Sequence, residues 1–190
     1  IDPQEIISKF GADTARFFML SDSPPNRDME WSDAGIDGSW RFLNKLWKFV
    51  QSLNVNSSCN DFPKDLSQLN KKLLETLNIR VKEITQSIDD FHFNNAVASI
   101  RSLFNSILSY NIIDESDEKV VLYTTKKLLI LINPMVPHIA EELWEKLDKS
   151  KMICNQAWPE VDENYLQKNN VEIPIQVNGK MRALINVPYD

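Results

Sequence analysis

Three basic residues, Arg41, Lys45 and Lys48, occupy positions i, i+4 and i+7 of a stretch that reads as helix. At about 100° per residue they form a narrow stripe. The other half of the circumference is filled by Trp40, Phe42, Leu43, Leu46, Trp47, Phe49, Val50 and Leu53. Cations aimed away from an apolar half suit phosphate groups, each contact releasing counterions. A plainer reading is also available. Asp37 can pair with Arg41 within the helix, and cations near a helix C-terminus are favourable by themselves. Lys180 and Arg182 likewise either touch a phosphate backbone or discourage sheet-to-sheet association. Lys126 and Lys127 read as a solvated helix surface. Trp31, Trp40, Trp47, Trp144 and Trp158 read as core, with stacking on nucleic-acid bases as the alternative.

The search for catalytic chemistry finds little. His92 and His138 are the two histidines. His138 precedes Glu141 and Glu142 by three and four residues, half of a metal site at most. Its simpler expectation is contact with its own first-turn carboxylates. Cys59 and Cys154 form no CxxC pair, so no zinc site is expected and reduced, cytosolic thiols are. Four glycines supply no phosphate-cradling loop.

Composition sets the frame for these residues. The chain has 190 residues, 43% hydrophobic and 25% charged, enough for one medium domain with a small appendage. Its net charge of −6 argues against general affinity for nucleic acid, leaving only a local positive face able to bind it. The apolar run Leu128–Ile132 is too short to span a bilayer. A start at Ile1, without methionine or leader, predicts a piece of a longer protein.

Helix punctuation divides most of the chain. Asp2, Pro3 and Gly11 bracket a first helix, and Asp13 can cap a second, Thr14–Leu20. Pro24 and Pro25 enforce a loop. The third helix should run from Ser32 or Asp33 to about Leu53, followed by a connection over Asn54–Asp61. The next covers Asp65–Ile88, with Leu66, Leu69, Leu73, Leu77, Val81, Ile84 and Ile88 inward. Phe93–Tyr110, Asp114–Asn133 and Pro137–Leu147 complete an antiparallel bundle. Glu172–Val187, around Asn178-Gly179, has the pattern of a hairpin.

At this point the residues match a known family. GADTARFFML, Gly11–Leu20, resembles the segment after the KMSKS loop of class I aminoacyl-tRNA synthetases, and DPQEII before it is similar to the residues linking the two. SPPNRDMEWSDAGIDGSWRFLNKLW, Ser23–Trp47, resembles leucyl-tRNA synthetases in particular. NPMVPHIAEELW, Asn133–Trp144, and the Trp158-Pro159 pair are similar to the whole aliphatic group. IPIQVNGKMR, Ile173–Arg182, resembles the hairpin that opens the C-terminal domain of bacterial-type leucyl enzymes. Lys45 departs from an arginine frequent in the family, and Asn133 from another small polar residue or histidine.

The resemblance implies a mainly α chain. Its parts would be a stem-contact segment (residues 1–32), the helical-bundle anticodon-binding domain of class I synthetases (33–160), and an incomplete C-terminal domain (171–190). It further implies the tRNA-binding region of a cytoplasmic, monomeric leucyl-tRNA synthetase without membrane association. Its partners would be leucine tRNA and the catalytic and editing domains of the same chain. ATP with magnesium would serve the upstream core, and this region alone would be inactive. Arg41, Lys45, Lys48, Lys180 and Arg182 are the expected tRNA contacts. Two rivals stay open, a helical scaffold with no RNA role and the equivalent region of a valyl or isoleucyl enzyme.

Overall fold

A computed structural model describes residues 2–54, 62–63, 65–166, 170–177 and 180–188. Cys59 and the Asn178-Gly179 turn lie outside them. Seven α-helices, α1 Pro3–Phe10, α2 Ala12–Asp22, α3 Asp33–Ser52, α4 Gln68–Asp89, α5 Phe93–Leu108, α6 Glu115–Ile132 and α7 Pro137–Leu147, precede a hairpin. Its strands, β1 Asn170–Val177 and β2 Lys180–Pro188, pair antiparallel. The mainly α, antiparallel bundle expected from the sequence is the fold observed.

The helix ends obey local chemistry. Asp2 accepts from Gln4 N at 2.9 Å, Ser32 from Gly35 N at 3.1 Å, and Ser67 from Asn70 N at 3.1 Å. Asp114 and Asp117 form a reciprocal capping box that starts α6. Gly11, at φ 85°, ends α1 and opens α2 in a conformation costly for other residues. Asp13 therefore sits inside the first turn of α2 and does not cap it, contrary to the sequence reading. Helix α4 begins at Gln68 rather than near Asp65. This leaves Leu69 in its first turn and exposed, although the periodic stripe places it inward.

The core gathers one apolar face from each of α2, α3, α4, α5 and α7 around α6, whose consecutive residues Leu128–Ile132 are all buried. Phe17 of α2 stacks on Phe42 of α3 at 5.0 Å, and Phe104 of α5 meets Phe42 and Phe49 edge-on at 5.6 Å. Each fully buried side chain of this size contributes roughly 1.5–3 kcal/mol through burial. The segment after α7 straps the bundle. Trp158 Nε1 donates to Thr85 Oγ1 at 2.9 Å, and Asp162 N donates to Asn78 Oδ1 at 2.8 Å.

Two glycines of α3 differ in what surrounds them. A Cβ on Gly35 would lie 2.5 Å from Cε2 of the buried Phe18, whereas one on Gly38 meets nothing within 4 Å. Removing a helical glycine gains about 0.8–1.0 kcal/mol, while overpacking a filled site costs about 1–3 kcal/mol. Gly38→Ala should therefore raise the urea midpoint and Gly35→Ala should lower it. Midpoints moving in the same direction would contradict this packing.

Candidate nucleic-acid interface

Helix α3 buries Ile36, Leu43, Leu46 and Val50 and turns its opposite face to solvent. Arg41, Lys45 and Lys48 are all on that outer face and exposed. The Asp37–Arg41 pair that the spacing allows is not formed, and no carboxylate among the described residues bridges to any of the three. They form a positive strip with no ion pair among the described residues, on an acidic chain.

A further cation belongs to α5. The Arg101 guanidinium of α5 lies over the stacked Phe42 and Phe17 rings, 4.9 and 5.2 Å from their centres. Burial lowers its pKa from the ordinary arginine value. Among the described residues it has no ion-pair partner. A half-desolvated cation held on aromatic faces is a strong anion receptor. Phe42 lies on the apolar arc of α3, so Arg101 marks the seam of α2, α3 and α5. Sequence reasoning missed it because its position depends on how two helices pack.

The other edge of the α3 face holds Trp40 and Trp47, expected in the core but 43% and 37% exposed. They border a cleft of about 350 Å³, which α3 shares with Phe10, Gly11, Asp13 and Thr14 at the α1–α2 junction and with Ile139 of α7. At about 100° per residue both tryptophans sit at the margin of the apolar arc, next to Asn44 and Gln51. That margin was the available signal.

Asp13 ties this region together. Its Oδ2 accepts from Ile139 N at 2.8 Å, and its Oδ1 meets His138 Nδ1 at 3.0 Å and Arg16 at 2.9 Å. It thus satisfies a first-turn N–H of α7 where Val136, at the cap position, has no side-chain oxygen to offer. His138 binds this carboxylate and not Glu141 or Glu142. Glu141 is taken up by Ile153 N at 3.2 Å. No group of three His, Cys, Asp or Glu among the described residues could hold a metal.

The remaining basic residues divide. Lys126 is not solvated: its side chain is 16% exposed, pairs with Asp148 at 3.1 Å and lies over the Trp144 ring. Bonds from the Ser150 hydroxyl and amide, with help from Lys126, depress the Asp148 pKa from 3.8 to about 2. A depressed carboxylate adds stability that is present above its unfolded pKa and lost as pH falls through the folded one. Asp148→Asn should therefore narrow the stability gap between pH 5 and pH 2 in urea titrations, and an unaltered gap would refute the coupling. Lys127 lies over the Tyr123 ring. On the hairpin, the register shifts so that Ile175 faces Ala183 while Gln176 faces Met181, leaving Arg182 as the extra residue of a bulge. Arg182 is exposed. Lys180 pairs with Val177 across the hairpin.

Residues 70–190 match the family described as the anticodon-binding domain of tRNA ligase. The chain belongs to that family. Proteins similar to it over its whole length are leucine–tRNA ligases. That of Paramagnetospirillum magneticum is 41% identical over 190 residues, and one from Prochlorococcus marinus is 38% identical over 198. In both cases this anticodon-binding-domain chain spans 22% of the relative's length. It also superimposes with a TM-score of 0.80 on the agnB2 LeuRS of Agrobacterium radiobacter, solved as a ternary LeuRS–tRNA–LeuAMS complex. The two are 26% identical, and the match covers 99% of this chain and 24% of that one.

Proposed function

We propose that this chain is the tRNA-docking region of a leucyl-tRNA synthetase. It holds leucine tRNA while a catalytic region of the same protein activates leucine with ATP and transfers it to the terminal adenosine. The observation that carries the reading is the exposed strip of Arg41, Lys45 and Lys48 without bridging carboxylates, in a chain whose relatives are leucine–tRNA ligases. The LeuRS crystallised with tRNA supports it. The segment before α3 would serve as stem contact, and the bundle would touch the inner side of the tRNA. Contacts from such a strip go to phosphates and sugars, fixing register without reading bases. Placing the acceptor end correctly supplies a large share of a transfer rate. Lys180 and Arg182 would add contacts on the hairpin. The setting would be a monomeric cytoplasmic enzyme.

ATP and magnesium do not fit the residues here. The four glycines, at positions 11, 35, 38 and 179, form no phosphate loop, and no metal cluster stands among the described residues. The test is direct. The purified chain should shift a leucine tRNA transcript in a gel at low salt, and should give no leucine-dependent pyrophosphate exchange. Absence of any tRNA complex at low salt would overturn the docking role. Exchange above a no-protein control would overturn the division of labour.

A further inference from the structure

We propose that the cleft bordered by Trp40 and Trp47 receives an unpaired nucleobase of the tRNA that lies along α3. This rests on the docking role above and adds to it a site for a heterocycle, which phosphate contacts do not require.

The tryptophans differ in how their polar edge is used. Trp31 Nε1 donates to Asp33 Oδ1, Trp144 Nε1 to Lys151 O and Trp158 Nε1 to Thr85 Oγ1, each at 2.9 Å. Trp40 and Trp47 donate to no acceptor among the described residues. An indole kept for the core loses its solvent and finds a partner for its N–H; these two retain both exposed area and a free donor. They stand two helical turns apart, about 10.5 Å of rise, with Leu43 and Asn44 between them. Asn44 Nδ2 donates to Trp40 O at 2.8 Å, which leaves its Oδ1 as an acceptor without a hydrogen bond to the described residues. The cleft, about 350 Å³ in volume, is open to solvent and lined also by Phe10 and Ile139.

Aromatic walls, an amide acceptor for an exocyclic amino group and free indole donors suit a planar base. The charges agree. Lys48 and Arg41 follow the tryptophans around the same helix face, where the phosphate of that nucleotide would lie. Asp13, the carboxylate in the wall, has its oxygens engaged by Arg16, His138 and Ile139 N. Asp37 lies on the same outer face, one turn before Arg41. A polypeptide segment of the surrounding protein is the competing occupant, and it would have no use for the cations beside the cleft.

The experiment compares the protein with its Trp40→Leu/Trp47→Leu and Trp40→Phe/Trp47→Phe variants. Each is titrated with a leucine tRNA transcript and with a fully paired RNA duplex. Acrylamide quenching of tryptophan emission is read with and without RNA. The leucine pair should bind the transcript roughly fivefold to a hundredfold more weakly, with an unchanged salt slope, since stacking releases no counterions. The phenylalanine pair should recover most of that loss. Duplex affinity should be the same for all three. Bound transcript should remove the quenching that the leucine pair lacks. The proposal is overturned by unchanged transcript affinity, by equal losses for duplex and transcript, or by two indoles already shielded before RNA is added. Failure of the docking role shows separately, as wild-type affinity after alanine replacement of Arg41 and Lys45.

Discussion

Alanine at Arg41 and Lys45 together should lower the affinity for leucine tRNA by roughly tenfold to a hundredfold at low salt, and should leave folding stability within about 0.5 kcal/mol of wild type. Both side chains lie on the outer face of α3, so their removal opens no cavity and leaves no buried group unpaired. A tenfold to hundredfold loss is about 1.4–2.8 kcal/mol for the two residues together, less than two desolvated charge-assisted bonds because both side chains stay solvent-exposed. Deleting one such cation also lowers the slope of log affinity against log salt, by somewhat less than about 0.9. Arg41 should account for the larger part, because a planar guanidinium grips two phosphate oxygens where an ammonium acts as a point charge. The checks are anisotropy titrations at two salt concentrations and a urea melt. An unchanged affinity at both would assign the strip to solubility alone.

Loss of the Asp13 carboxylate should have the largest effect on stability. The side chain is 10% exposed and bonds to an amide of α7 and to two cationic or ionisable neighbours. An N-cap acceptor contributes about 0.5–2 kcal/mol, and a buried bond to a charged group about 1.5–3 kcal/mol. Asp13→Ala should thus destabilise by about 2–4 kcal/mol. Asp13→Asn, which can still accept from Ile139 N, should lose about half as much. Urea unfolding of the two variants measures the ordering. Equal midpoints for Asp13→Ala and wild type would show that α7 needs no such cap.

Periodicity and end chemistry were enough to place α3, α5, α6, α7 and the hairpin, because each has an apolar face of the right period between strong stop signals. They misplaced residues whose role depends on a second element. Asp13 stands two residues after a glycine and has a capper's local pattern, yet its partner is 126 positions away in α7. Trp40 and Trp47 count as apolar on a helical wheel, but the neighbouring elements cover the margin where they lie only in part. Lys126 looks solvated until the chain after α7 brings Asp148 to it. The strip itself was legible, since it needs only the period of one helix. The Asp37–Arg41 pair was equally permitted, and only the structure shows that it is not made.

Helix α7 is held at both ends. Asp13 of α2 grips its first turn, and Lys146 in its last turn donates to Val50 O at 3.0 Å and to Gln51 O at the end of α3. Helix α7 thus fastens the N-terminal helices to the C-terminal end of α3 through one element. Residues 13 and 146, far apart in sequence, therefore share a single mechanical partner, and a substitution at either one loosens an anchor of the same helix.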